Sequence, residues 1–178
     1  MKLYREPPAN THVLCIDEMG PTAAKTYRGQ RYALRRPYVE ADYGRRGKVW
    51  TIGAFEPSTG QALTKCYDRR NSPSFLDFLT LVDVAWPNGE VFIILDNLST
   101  HKTLDVLLWA LAHPRIRFLF QPTYSPWLNL IEPWWKTLRS LALKGRCFQT
   151  AQEIVHAIAW ATDYWNQRRH PYEWRKVF

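Results

Sequence analysis

Cysteine is scarce in this 178-residue sequence: Cys15, Cys66 and Cys147 stand far apart and are odd in number. That spacing excludes a Cys-x-x-Cys metal clip and a disulfide framework, and a reducing, cytosolic setting is the simplest reading. Cys15 and Cys66 fall in strand-like runs, where a free thiol behaves as a small hydrophobe. Long apolar runs are missing as well. The longest, Val91 to Leu95 and Leu107 to Ala112, fall far short of the ~18 residues of a membrane helix, so no membrane partner is expected. The first eight residues carry charge and two prolines where a secretory signal would place an apolar stretch, so export is not expected. There are no internal repeats and no low-complexity tracts. With 46% hydrophobic and 22% charged residues the composition is that of a folded globular chain, long enough for a substantial core.

Acidic residues are outnumbered, 16 against 24 basic ones, for a net charge of +8. Much of the excess is local. Lys25, Arg28, Arg31, Arg35, Arg36, Arg45, Arg46 and Lys48 face only Glu40 and Asp42 within 24 residues, and Arg168, Arg169, Arg175 and Lys176 face only Glu173 near the end. Tyrosines and Trp174 are interleaved with both clusters, which suits a polyphosphate whose bases can stack; a solvated basic face is the plainer alternative. The residues read here as DNA-binding are the eight of the first cluster together with Arg168 and Arg169.

Along the chain, His12 to Ile16 reads as a buried strand that delivers Asp17 and Glu18 at its C-terminal end. Residues 19 to 48 read as irregular, with room for one short strand. Val49 to Phe55 and Ala62 to Tyr67 form a hairpin around Glu56-Pro57-Ser58-Thr59-Gly60. Ser72-Pro73 opens a helix with Phe75, Phe78, Leu79 and Val82 on its packed face. Val91 to Leu95 is a doubly buried strand ending at Asp96. Ser99 or Thr100 caps the next helix, whose Leu104, Leu107, Leu108 and Leu111 repeat at helical spacing. Arg115 to Phe120 is a fifth strand. Pro133 places the start of the following helix near Leu130 to Glu132, with Glu132 in its first turn. Thr150-x-x-Glu153 is a capping-box signature for a last helix with Ile154, Ile158, Ala161 and Trp165 inward. The order predicts an α/β fold, a mixed five-stranded sheet with helices on both faces.

Three acids stand out by position: Asp17 and Asp96 at strand ends, and Glu132 at a helix start. If the strands of Asp17 and Asp96 are parallel neighbours, both carboxylates leave one sheet edge, where α/β folds place ligands. Acids at strand ends also commonly cap the turn that follows, and that reading stays open on residue type alone. Two like charges 4 Å apart repel by about 4 kcal/mol at an effective dielectric of ~20, so a convergent trio calls for a cation. Hard oxygen donors favour Mg²⁺ or Mn²⁺ over zinc, and two such ions form the clamp used in phosphodiester displacement.

The residues around these acids form Ile16-Asp17-Glu18, Asp96-Asn97 followed by His101-Lys102, and Pro122-x-Tyr124-Ser125-Pro126-x-Leu128-Asn129-x-Ile131-Glu132-x-x-Trp135, with 35 residues between Asp96 and Glu132. Together with a tail from Trp165-Asn166 through His170-Pro171-Tyr172-x-Trp174, they resemble the transposases of the DDE superfamily, specifically the bacterial insertion-sequence branch related to mariner elements. The resemblance implies a ribonuclease H-like fold. It implies Asp17, Asp96 and Glu132 as catalytic ligands of two Mg²⁺ or Mn²⁺ ions, with Asn97, His101 and Asn129 as supporting residues. The implied activity is phosphodiester hydrolysis at transposon ends followed by strand transfer. Its partners would be double-stranded DNA and a second copy in a homodimer, in the cytoplasm at the nucleoid. The third block departs from the family pattern at Leu130, where proline is usual; here the proline is Pro133. The family normally carries a preceding helix-turn-helix module, and none is read in residues 1–178, so the expectation is one catalytic domain over the whole chain. The alternative is a catalytically silent or truncated DNA-binding remnant. Tyr124 and Trp135 are expected to pack rather than react, and Trp134 to sit in the core rather than against DNA.

Overall fold

The computed structural model describes residues 2–25, 46–122 and 129–172. Arg28, Arg31, Arg35, Arg36 and Arg45, the Tyr124 to Leu128 part of the third block, and the tail beyond Tyr172 lie outside the described residues. The elements are α1 (Lys2–Arg5), β1 (Thr11–Ala23), β2 (Lys48–Glu56), β3 (Gln61–Tyr67), α2 (Ser72–Ala85), β4 (Glu90–Leu95), a 3-10 turn (Ser99–Lys102), α3 (Leu104–Ala112), β5 (Ile116–Phe120), α4 (Ile131–Ala142) and α5 (Ala151–Asn166).

The strands form one sheet in the order β3-β2-β1-β4-β5. The β1/β2 and β2/β3 pairs are antiparallel, whereas β1/β4 and β4/β5 are parallel. The sheet is therefore mixed, and the strands bearing Asp17 and Asp96 are parallel neighbours. Alternation along β1 divides the core in two. Cys15 and Met19 face α4 and α5, packing with Phe55, Trp134, Trp135, Leu138, Ile158 and Trp165. Leu14 and Ile16 face α2, packing with Phe75, Phe78, Leu79, Val82 and Ile93.

Two readings need correction. β1 does not stop at Ile16. Its ladder with β4 runs only to Cys15 opposite Ile94, but its antiparallel ladder with β2 continues through Asp17 opposite Gly53 and Glu18 opposite Ile52 to Ala23 opposite Lys48, with a register shift between Met19 and Thr22. Asp17 and Glu18 thus sit in the body of a strand held on one side only. The second correction concerns α3. Leu104, Leu107, Leu108 and Leu111 are exposed, at 45 to 77% of their area; the inward residues are Val106, fully buried, and the half-buried Trp109. The leucine repeat thus marks the solvent side of the helix, and it is the expected cap that changes. Ser99 and Thr100 belong to the 3-10 turn, and Thr103 occupies the N-cap of α3 without a side-chain hydrogen bond.

Helix caps follow the local signals. Asn71, one residue ahead of the expected start, caps α2 by accepting from the Ser74 N–H at 3.0 Å. Thr150 Oγ1 accepts from the Glu153 N–H at 3.2 Å, while Glu153 Oε2 accepts from the Gln149 N–H at 2.8 Å. Thr150→Ala leaves that first-turn donor to water and is expected to lower stability by about 1 kcal/mol, read as a shift of the urea midpoint at unchanged slope. All three cysteines are unbridged. Cys15 is buried with its Sγ 3.0 Å from the Tyr4 hydroxyl, and burial pushes its thiol up to about 12, as suits a packing residue.

Candidate active site

Asp17 lies on the α4 side of β1, and four neighbours define its environment: Trp135, Gly53, Glu18 and Glu132. The Trp135 indole N–H donates to Asp17 Oδ2 at 3.3 Å. Opposite Asp17 in the ladder is Gly53, whose missing side chain leaves the space taken by the Trp135 ring. Burial pushes the Asp17 carboxyl up to about 7, and the negative charges of Glu18 and Glu132 push the same way, against the Glu18 backbone N–H and the Trp135 donor. Two carboxylates therefore bear on Asp17, Glu132 among them.

Glu132 is the second residue of α4 and is exposed. Its placement depends on Asn129, which is buried. Asn129 Nδ2 donates to the Ile16 carbonyl at 3.2 Å and its Oδ1 accepts from the Ile131 N–H at 3.5 Å, so the start of α4 is clipped to β1 one residue before Asp17. Pro133 is accommodated in the first turn, where its missing N–H costs nothing.

Asp96 follows directly on β4. The β1/β4 ladder ends at Cys15 and Ile94, two residues short of Asp17 and Asp96, so both acids lie just beyond the same end of this parallel pairing. Asp96 Oδ1 accepts from the Leu98 N–H at 3.0 Å and lies 3.1 Å from His101 Nδ1. The latter is an ion-pair contact off the axis of an aligned hydrogen bond. The other ring nitrogen, Nε2, meets Glu18 Oε1 at 3.0 Å. Burial disfavours charge on His101, but the flanking carboxylates outweigh it and push the imidazole up to about 9; in turn His101 holds the Asp96 carboxyl below the usual carboxylate range. Asn97 braces the turn, donating to the Gln121 carbonyl at 2.5 Å and accepting from Lys102 Nζ at 2.6 Å.

The donor set is made of hard carboxylate oxygens, and a divalent cation would offset both the burial of Asp17 and the like charges of Glu18 and Glu132 that add to it, so its chemistry fits Mg²⁺ or Mn²⁺. Among the described residues no three His, Cys, Asp or Glu side chains form a ready-made ion site. The acids are grouped as Asp17 with Glu132, and Asp96 with Glu18 through His101.

Residues 12–155 match the family described as DDE superfamily endonuclease. The chain belongs to that family. The DDE match takes in all three acids and most of the fold. An insertion element IS630 uncharacterized 39 kDa protein from Shigella sonnei is 28% identical over 132 residues, which are 74% of this chain and 37% of that protein. The chain thus spans little more than a third of the length of the curated relative it matches. A chain in the cryo-EM structure of the simian T-cell lymphotropic virus intasome in complex with PP2A regulatory subunit B56 gamma superposes with a TM-score of 0.61 at 13% identity, over 86% of this chain and 47% of that one. The DDE domain accordingly has the ribonuclease H-like fold its motifs imply.

Of the basic residues read as DNA-binding, Lys25, Arg46, Lys48, Arg168 and Arg169 are described. Arg46, just ahead of β2, and Lys48, its first residue, are exposed, and Arg46 donates to Gln149 Oε1 at 2.5 Å. Arg168 lies over the Tyr164 ring at 4.1 Å, and Arg169 donates to Gln61 Oε1 at 3.1 Å. Trp134 is fully buried and stacked on Phe55 at 5.8 Å, a core residue as expected. Sequence reasoning missed Glu18 as a member of the site and missed the indole donor of Trp135. Glu18 had one signal, its place next to Asp17 in the first motif. No helix among the described residues is long and apolar enough to cross a membrane.

Proposed function

We propose that residues 1–178 form the catalytic domain of an insertion-sequence DNA transposase, cutting phosphodiester bonds at transposon ends and joining the freed 3′-hydroxyl to target DNA. The observation that supports this reading is the hydrogen bond from Asn129 to the Ile16 carbonyl, which ties the start of α4 bearing Glu132 to β1 one residue before Asp17, with Asp96 just beyond the same end of the parallel β1/β4 pairing. Asp17, Asp96 and Glu132 would hold two Mg²⁺ or Mn²⁺ ions. When bound, such ions activate an attacking oxygen and stabilise a leaving one. The chain's own residues do the rest. Asn129 holds Glu132 against β1, Trp135 orients Asp17, and Asn97 with His101 fixes the turn that presents Asp96. Lys25, Arg46, Lys48, Arg168 and Arg169 supply phosphate contacts along double-stranded DNA. A homodimer acting at the nucleoid in the cytoplasm completes the reading.

A catalytically silent DNA-binding scaffold is the second reading, favoured by the lack of a ready-made three-residue ion site among the described residues. Calorimetric titration with Mn²⁺, with and without DNA, separates the two. Wild type is expected to take up Mn²⁺ and Asp17→Asn to lose most of that uptake; titration curves identical for the two proteins would favour the silent scaffold.

A further inference from the structure

We propose that Glu18 and His101 are positioning residues for Asp96, fixing which of its two carboxylate oxygens is turned toward the reacting centre. The claim deepens the reading above and rests on it. Alternation along β1 sends Glu18 to the face opposite Asp17, where it is not one of the acids the DDE motif accounts for. Its side chain is only 3% exposed, and its carboxylate meets His101 Nε2 at 3.0 Å. His101 is fully buried, with its ring centroid 4.3 Å from that of Phe75. The imidazole is thus clamped between Phe75 and Glu18, and its Nδ1 lies 3.1 Å from Asp96 Oδ1.

Asp96 needs such a brace. Its side chain is 51% exposed at the open end of β4, where little packing restricts rotation. Both of its contacts, the Leu98 N–H and His101, fall on Oδ1. Among the described residues Oδ2 receives no hydrogen bond and is the oxygen left for a ligand. Stability alone explains Glu18 poorly. A buried polar pair is often matched or bettered by apolar residues of equal volume, so a carboxylate–imidazole contact carried this deep points to placement of a group. Partners of this kind, which hold a ligating carboxylate or imidazole, typically change metal affinity by about 10- to 100-fold when removed.

The test is Mn²⁺ calorimetry on Glu18→Ala, Glu18→Gln and His101→Ala, with circular dichroism to confirm folding. Glu18→Ala is expected to weaken Mn²⁺ binding about tenfold. Glu18→Gln keeps an acceptor for the ring and should recover most of the loss. In an Asp96→Asn background Glu18→Ala should cause no further loss, and in nicking assays it should lower kcat with KM for DNA unchanged. A folded Glu18→Ala protein with wild-type Mn²⁺ affinity would overturn the proposal, as would an equal loss in the Asp96→Asn background. Should wild type bind no Mn²⁺, the metal reading fails on its own. The positional claim is then decided by a double-mutant cycle of Glu18→Ala and Asp96→Asn on the urea midpoint, where coupling supports it and additivity refutes it.

Discussion

Asp96→Ala is expected to lower Mg²⁺- or Mn²⁺-dependent nicking of supercoiled DNA by about a thousandfold or more, equivalent to about 4 kcal/mol of transition-state stabilisation. The fold should survive. Asp96 is half-exposed beyond the end of β4, and its loss removes one acceptor for the Leu98 N–H and one contact to His101. The pairing of His101 with Glu18 remains, so the imidazole keeps a buried partner. Circular dichroism and the urea midpoint should therefore stay close to wild type while the nicking rate collapses. A purified, folded Asp96→Ala protein that nicks at the wild-type rate would refute the catalytic assignment.

Gly53→Ala is expected to cost about 1 to 3 kcal/mol of stability, the usual penalty for forcing a methyl into a filled core. A Cβ at Gly53 would lie 3.0 Å from Trp135 Cζ2 and closer still to Cη2. The indole is fully buried, so it can yield only by shifting α4 or by leaving its rotamer. Either movement draws the ring N–H away from Asp17 Oδ2, and nicking should fall alongside stability. Trp135→Ala alone opens a large cavity and is expected to cost about 3 to 5 kcal/mol. In the double variant Gly53→Ala/Trp135→Ala the added methyl meets a vacated space, so its own penalty should vanish. Urea denaturation of the four proteins provides the cycle. Strict additivity would show that the glycine is not there to seat the tryptophan.

What the sequence disclosed was governed by range. Caps and repeats are local, and so the hairpin around Pro57, the start of α4 at Ile131 and the Thr150 cap were readable from a few neighbouring residues. The full length of β1 was not, because its extension past Ile16 depends on β2, a partner more than thirty residues away in the chain. On α3 almost every side chain is apolar, so the leucine spacing established a helix without saying which side faces the sheet. The three acids were singled out through their flanking motifs, which the DDE family match over residues 12–155 takes in. The link from Glu18 to His101 spans 83 residues of sequence and leaves no local trace. Gly53 and Trp135 were equally silent, since a close approach between two elements is written in neither one alone.

The central place of β1 governs when the candidate site can come together. Its two flanking strands come from separate later stretches, β2 by residue 56 and β4 by residue 95, and Glu132 is delivered only once α4 has docked. A chain emerging from the ribosome therefore carries Asp17 early, with nothing to work with. Contacts that span so much of the polypeptide form late in folding. The candidate site is therefore assembled last, and a half-made or partly melted molecule has Asp17 without Glu132.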